Sequence, residues 1–326
     1  MATEFSAKLI SWQKSAGRHD LPWQKSRDPY SVWVSEIMLQ QTRVSTVIPY
    51  YLRFMEKFPD VNSLAAASLD EVLSLWSGLG YYARAKNLHK AANLVKEAGK
   101  FPEDLSGLPG IGRSTAAAIS AFAHSKRAAI LDGNVKRVLA RHFAIPGFPG
   151  EKPVENAMWA LAESLLPENE IECYTQALMD LGSGPCSTRQ PDCPSCPVQS
   201  SCAALASGKV EEFPEPRPKR ALPNRNTRFL VLLHEEKILL SRRPEKGVWA
   251  GMLCLPEIGE GWEERFRAQE AVDLPGFTHI FTHFRLKIGV TLAKTGNPPD
   301  GIWMRIEEAL SSSIPNPVRK ILSNLP

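Results

Sequence analysis

The sequence predicts a multi-domain chain. An all-α domain covers residues 1–205, a Pro-rich basic linker 206–228 and an α+β domain 229–326. Three observations predict it. Apolar residues recur at three- and four-residue spacing up to about residue 205, which is the helical period. The stretch EEFPEPRPKRALPNRNTR then breaks that period with Pro214, Pro216, Pro218 and Pro223, a composition that makes an extended spacer and cannot make a core. Beyond it the apolar period shortens to that of strands. A length of 326 residues suits two domains of ordinary size.

The first twenty residues form an amphipathic helix with Phe5, Leu9, Ile10 and Trp12 apolar. They lack an apolar signal core and a small-residue cleavage site, so we expect a cytoplasmic protein, held on the nucleoid if the source is bacterial. Asp28 and Pro29 make an N-cap and first-turn pair that opens a helix through SVWVSEIMLQQ. The same logic predicts helices over 69–76, 83–98, 113–124 and 153–166, with no strand before residue 205. After the linker, FLVLLHEEKILLSRR predicts strands around a His-Glu-Glu turn. GVWAGMLCLPE and FTHIFTHFRLKIGV predict further strands, and Pro317 to Leu322 a closing helix.

Charge identifies no partner. Lys plus Arg total 39 and Asp plus Glu 35, a net +4, and the linker alone carries six basic against three acidic groups. With 43% hydrophobic and 23% charged residues, the composition is that of a soluble globular protein. No run approaches the ~18 apolar residues of a membrane span, which excludes a membrane-spanning role. The six cysteines, in a reducing compartment, point to metal ligation where they cluster.

Four of them do, as Cys186-x6-Cys193-x2-Cys196-x5-Cys202. From spacing alone, a four-thiolate zinc site and a 4Fe-4S cluster both fit. Cys173 and Cys254 lie outside the pattern and are expected to be core thiols. A second motif, Leu108-Pro109-Gly110-Ile111-Gly112-Arg113-Ser114, is a Gly-rich turn that opens an alanine-rich helix. Its free amides and helix start suit a phosphate, and a plain packing turn has the same sequence signature. A third motif, Leu131-Asp132-Gly133-Asn134-Val135-Lys136-Arg137, puts an acid at a helix start, where it is an N-cap or a functional carboxylate. Glu36 sits on an apolar helix with Trp33 at i−3, and Gln40, Gln41 and Thr42 follow it. It is either a boundary residue or a desolvated acid with a raised pKa.

Together, the LPGIG hairpin, the downstream Asp132, the earlier Glu36 and the cysteine loop resemble the helix-hairpin-helix DNA glycosylases that carry an iron-sulfur cluster. SEIMLQQT, GLGYYARAKNL, LDGNVKRVLAR and QALMDLG are similar to the adenine DNA glycosylases of the MutY type, over nearly all of residues 1–205. The resemblance implies a base excision repair enzyme that binds double-stranded DNA as a monomer. It would flip out adenine mispaired with 8-oxoguanine or guanine and remove it hydrolytically. Glu36 maps onto the general acid, Asp132 onto the carboxylate facing the oxocarbenium-like sugar, and Asn134 onto a residue that orients Asp132 or the water. Gln41, Leu79 and Tyr81 map onto gap-filling and stacking residues, and Gln176 onto one that touches the flipped base.

Gly110 and Gly112 would grip a phosphate through a bound monovalent cation, Ser114 and Lys136 would also contact the DNA, and the cluster loop with Arg189 would grip another phosphate. Cys186, Cys193, Cys196 and Cys202 would hold the 4Fe-4S cluster. Lyase relatives of the endonuclease III type carry a lysine where this chain has Ser114, and a hydroxyl forms no imine, so monofunctional chemistry is expected. The C-terminal half resembles the Nudix-like domain that reads 8-oxoguanine. Its EGWEERFRAQEAV does not reproduce the REUxEE acid set of the hydrolases, and Phe281-Thr282-His283 stands where the family has Phe-Ser-His. The competing functions are an endonuclease III-like glycosylase and lyase, opposed by Ser114, and a catalytically silent DNA-binding iron-sulfur protein, opposed by the Glu36 and Asp132 pair.

Overall fold

A computed structural model of the chain describes residues 2–218 and 221–325. Lys219 and Arg220 of the expected linker, and the end residues Met1 and Pro326 of the expected domains, lie outside the described residues. Up to residue 218 the described chain is helical. It forms α1 (Ala2–Ala16), α2 (Pro29–Leu39), α3 (Val44–Lys57), α4 (Val61–Ala66), α5 (Leu69–Trp76), α6 (Ala83–Glu97), α7 (Arg113–His124), α8 (Gly133–His142), α9 (Lys152–Ser164), α10 (Ile171–Ser183) and α11 (Ala203–Ala206). From residue 224 follow β1 (Asn224–His234), β2 (Lys237–Arg242), β3 (Leu253–Cys254), α12 (Trp262–Phe266), β4 (Gln269–Ile280), β5 (Arg285–Lys294), β6 (Ile302–Arg305), α13 (Ile306–Ser311) and α14 (Asn316–Leu322). No described helix is long and apolar enough to cross a membrane.

Local chemistry sets several of these bounds. The Asp28 carboxylate accepts the Ser31 amide at 2.8 Å and Pro29 fills the first turn, so α2 starts where the cap predicts. Ser68 and Glu71 close a reciprocal capping box on α5. Six helices, α3, α4, α10, α11, α12 and α13, escape the sequence. Pro49 lies inside α3, where it reads as a breaker, and α10 begins after Glu170 with no side-chain cap.

Contacts divide the chain into one unit of residues 1–66 with 90–219 and another of residues 67–89 with 220–326. In the first unit α1 and α8 pack on α10, and α2 packs on α3 and α7. Leu9, Ala121, Val135, Leu139, Met158 and Ala177 form part of its core. In the second unit the strand order is β3-β2-β1-β5-β4, and β6 also pairs with β2. β1 and β5 run parallel, and the other pairs are antiparallel. The expected His-Glu-Glu turn is a two-residue hairpin, with His234 opposite Lys237.

Two strand expectations change. Within 247–257 only Leu253–Cys254 is strand, because Gly247, Trp249 and Gly251 all take left-handed backbone. The stretch 277–290 is the end of β4 and the start of β5, and β4 begins at Gln269, across Pro275 and Gly276 that masked it. Hydrogen bonds also join residues 67–89 to the C-terminal chain. Arg242 meets both Asp70 carboxylate oxygens at 2.9 and 2.8 Å, Ser74 Oγ donates to the Ser311 carbonyl at 2.7 Å, and Arg319 donates to Ser77 Oγ at 2.6 Å.

Candidate active site

Glu36 lies on α2 among the buried Trp33, Ile37 and Met38, and its own side chain faces a cavity of about 330 Å³. Gln13, Arg18, Trp23, Cys173 and Gln176 line the same space, which is at the small end of ligand pockets. Burial, and after it the charge of Asp132, push the Glu36 carboxyl up from 4.5 to about 8. At neutral pH Glu36 therefore holds a proton and faces a space where a small ring fits. Of the two alternatives left by the sequence, the structure has the desolvated acid.

Asp132 is the N-cap of α8, accepting the Val135 amide at 2.8 Å. Burial raises its pKa, while the Val135 and Asn134 amides and the Arg137 and Lys136 charges oppose the rise. The cap and a role beside Glu36 are thus compatible. Ser114 Oγ accepts the Leu131 amide at 2.9 Å and so fixes the Ile130–Leu131 peptide, one residue ahead of Asp132. Asn134 Oδ1 accepts from Arg137 at 2.9 Å, and Arg137 also donates to the Cys186 carbonyl at 2.9 Å and to the Gly182 carbonyl.

Gly182 lets α10 approach α8 this closely, since a Cβ there would lie 2.5 Å from the Asn134 Cβ. We expect Gly182→Ala to displace the first turn of α8 and slow any chemistry at Asp132 roughly 10- to 100-fold, because small misplacements of reacting groups are costly. Single-turnover kinetics beside a thermal melt check this. A folded variant with wild-type rates contradicts it.

Gln176 is buried and donates to Asp180 Oδ1 at 2.7 Å. Asp180 also accepts from the Arg18 amide at 2.8 Å and from Arg18 Nε at 2.7 Å. Sequence reasoning missed this Arg18, Asp180 and Gln176 network. The available signal was Asp180 one turn after Gln176, with Ala177, Leu178 and Met179 between them and Leu181 after. Cys173 packs against the core as expected, but only half-buried, and it also lines the cavity and donates to Gln13 Oε1 at 3.0 Å. Cys254 is buried as expected.

The hairpin between α6 and α7 exposes Gly110, with φ +81, and Gly112, the uncapped N-cap of α7. Among the described residues neither amide joins a backbone hydrogen bond, and a Cβ on Gly112 would meet nothing within 4 Å. Both amides are open to an anion.

Across both halves the sequence decides the family. Residues 34–164 match the HhH-GPD superfamily base excision DNA repair proteins, and residues 228–324 match the NUDIX domain. The adenine DNA glycosylase of Buchnera aphidicola subsp. Acyrthosiphon pisum (strain APS) is 37% identical over 98% of this chain and 97% of its own length. The chain belongs to the adenine DNA glycosylase family. The Homo sapiens adenine DNA glycosylase is 32% identical over 98% of this chain and 73% of its own length. Among solved structures, a thermostable thymine-DNA glycosylase superposes with a TM-score of 0.58 at 28% identity, over 63% of this chain and 97% of that one.

For an adenine DNA glycosylase, other expected contact residues stand as follows. In the first unit Gln41 is exposed at the end of α2 with φ +57, and Arg189 is exposed. Lys136 is already paired with Glu155 at 2.7 Å, so a phosphate must compete for it. In the second unit Tyr81 is exposed, while Leu79 is buried at 6% exposure and fills a gap in DNA only by leaving its pocket. Thr282 and His283 are exposed, with Thr282 Oγ1 3.4 Å from His283 Nδ1.

All four cysteines of the loop are free and half-buried. Among the described residues no three metal-ligating side chains converge as for a single ion. Burial pushes the Cys196 thiol up to about 11, against a backbone hydrogen bond from Val198, and Cys186, Cys202 and Cys193 add to the rise, so those three sulfurs lie within electrostatic reach of Cys196. Arg141, buried at 3% exposure, donates to the Ser187 carbonyl at 2.7 Å and points at Cys186 Sγ at 3.5 Å. A cation beside a sulfur suits a thiolate, so this donor set fits an iron-sulfur cluster, whose thiolates bind separate irons.

Proposed function

We propose that the chain flips adenine, mispaired with 8-oxoguanine or guanine, out of the duplex and removes it by hydrolysis. The carrying observation is Glu36, protonated at neutral pH and facing the cavity with Asp132 close enough to raise its pKa. Glu36 donates its proton to a ring nitrogen of the flipped adenine, and the glycosidic bond then breaks with its electron pair going to the base. Positive charge develops on the sugar, and the Asp132 carboxylate stabilises it. Water adds to the sugar carbon and returns a proton to Glu36, which closes the cycle. Gln176, braced by Asp180, contacts the flipped base at the cavity wall. Ser114 supplies no amine, so the product is an intact strand with an abasic site.

The sign of the pH dependence follows. Adenine release needs Glu36 protonated and Asp132 ionised, so the single-turnover rate stays high at neutral pH and falls as pH rises through about 8. On the acid side it falls where Asp132 takes up a proton, above the usual carboxylate range. A rate that rises beyond pH 8 would remove Glu36 from the general-acid role.

Cys186, Cys193, Cys196 and Cys202 hold a 4Fe-4S cluster that ties the loop together and presents Arg189 to the DNA backbone. Anaerobically purified protein is expected to be brown with broad visible absorption, and Cys196→Ser to lose that colour. A colourless, zinc-containing preparation contradicts the assignment. Gly110 and Gly112 bind a phosphate through a monovalent cation. In the second unit Tyr81 stacks on the base opposite adenine and Thr282 and His283 contact that base, and in the first unit Gln41 contacts the DNA. The enzyme acts as a monomer in the cytoplasm or on the nucleoid, residues 1–205 carrying the chemistry and 229–326 the 8-oxoguanine recognition.

A further inference from the structure

Residues 78–81 form a turn in which Gly78 at φ +98, Gly80 at φ +79 and Tyr81 at φ +49 all lie in the left-handed region. For tyrosine that conformation is strained, and the ring it presents is 50% exposed. Something nearby must hold both the backbone and the ring. Arg84 does so from below, at 8% exposure. Its guanidinium carbon lies 5.3 Å from the Tyr81 ring centre and 5.4 Å from that of Trp76. Arg84 Nη2 donates to the Gly80 carbonyl at 3.2 Å, and Trp76 Nε1 donates to the same oxygen at 3.1 Å. The Arg84 amide closes the turn on the Tyr81 carbonyl at 2.9 Å. Burial lowers the guanidinium pKa to about 10, so the cation persists at neutral pH at a desolvation cost. The chemistry of base removal makes no use of a cation here.

We propose that Arg84 is a positioning residue, which clamps the Gly80 carbonyl and underlies the Tyr81 ring so that the ring stands ready to stack on the base opposite adenine. This rests on the assignment of Tyr81 as the stacking residue. A planar fork can bond the carbonyl while facing two rings, whereas a lysine ammonium can replace only the hydrogen bond and the charge.

The test uses the full-length protein and the ratio of kcat/KM on A:8-oxoguanine duplex to that on A:G duplex, with a thermal melt for each variant. Tyr81→Leu is expected to lower the ratio, by at most the roughly tenfold that one base-aromatic stack is worth. Arg84→Met should lower it to a similar level and Arg84→Lys to an intermediate one. The Arg84→Met and Tyr81→Leu double variant should fall no further than Tyr81→Leu alone. If Arg84→Met does not fold, Arg84→Lys carries the test. The proposal is overturned if Tyr81→Leu loses the ratio while the Arg84 variants keep it, if the Arg84 variants lose both activities equally, or if the two losses multiply. A wild-type ratio in Tyr81→Leu overturns the stacking assignment itself, and the proposal with it.

Discussion

Glu36→Gln is expected to slow adenine release roughly 10²- to 10⁴-fold, the range of a lost general acid, while duplex affinity changes little. The amide keeps the shape of the side chain on α2 and can still bond a ring nitrogen, and it has no proton of suitable acidity to give. The same change should make the protein more stable. The folded-state pKa of Glu36 is about 8 against the ordinary 4.5. Between those values the unfolded chain releases the proton and the folded chain keeps it. The stabilising preference for the protonated side chain is complete below about pH 4.5 and is lost as pH rises through about 8. Glutamine does not titrate, so the variant should gain on the wild type across that window, by about 1–3 kcal/mol near pH 8. An inactive variant with a higher Tm at pH 8 and an equal one at pH 4 is the signature of a desolvated catalytic acid. A boundary residue facing water would give neither effect.

Asp132→Asn separates the two roles that Asp132 holds. Asparagine caps helices about as well as aspartate, so the bond to the Val135 amide persists and the melting temperature should move little. What disappears is the negative charge that the proposed mechanism sets against the sugar, with an expected loss of about 10²- to 10³-fold in single-turnover adenine release. Asp132→Ala should lose the same activity and, in addition, about 1 kcal/mol of stability from the missing cap. If Asp132→Asn releases adenine at the wild-type rate, the residue is a cap and nothing more.

The two carboxylates also show what a sequence can and cannot carry. Asp132 was legible as a helix start because capping is local chemistry between residues three apart, and α2 and α5 lie where their sequence signals place them for the same reason. Glu36 stayed ambiguous in sequence, since its burial depends on what lies across the cavity, and Gln176 arrives there from a helix well over a hundred residues away. Arg18 and Asp180 were invisible for that reason too, being joined only by tertiary packing. The cysteine loop was legible from spacing, and the Arg137 and Arg141 contacts that tie it to the rest of the first unit were not. Residues 67–89 carry the same helical period on both sides of the 78–81 turn, yet their partners Arg242, Ser311 and Arg319 lie in the C-terminal sheet domain. No periodicity in the sequence records such partners.

The measurement that bears most directly on the central claim is a single-turnover assay on a duplex with one A:8-oxoguanine pair, quantified for free adenine and for strand breaks with and without alkali. The expected result is stoichiometric adenine with strand breaks appearing only after alkali, from the wild type and not from Glu36→Gln. Strand cleavage without alkali, or adenine release that survives Glu36→Gln, would contradict the account.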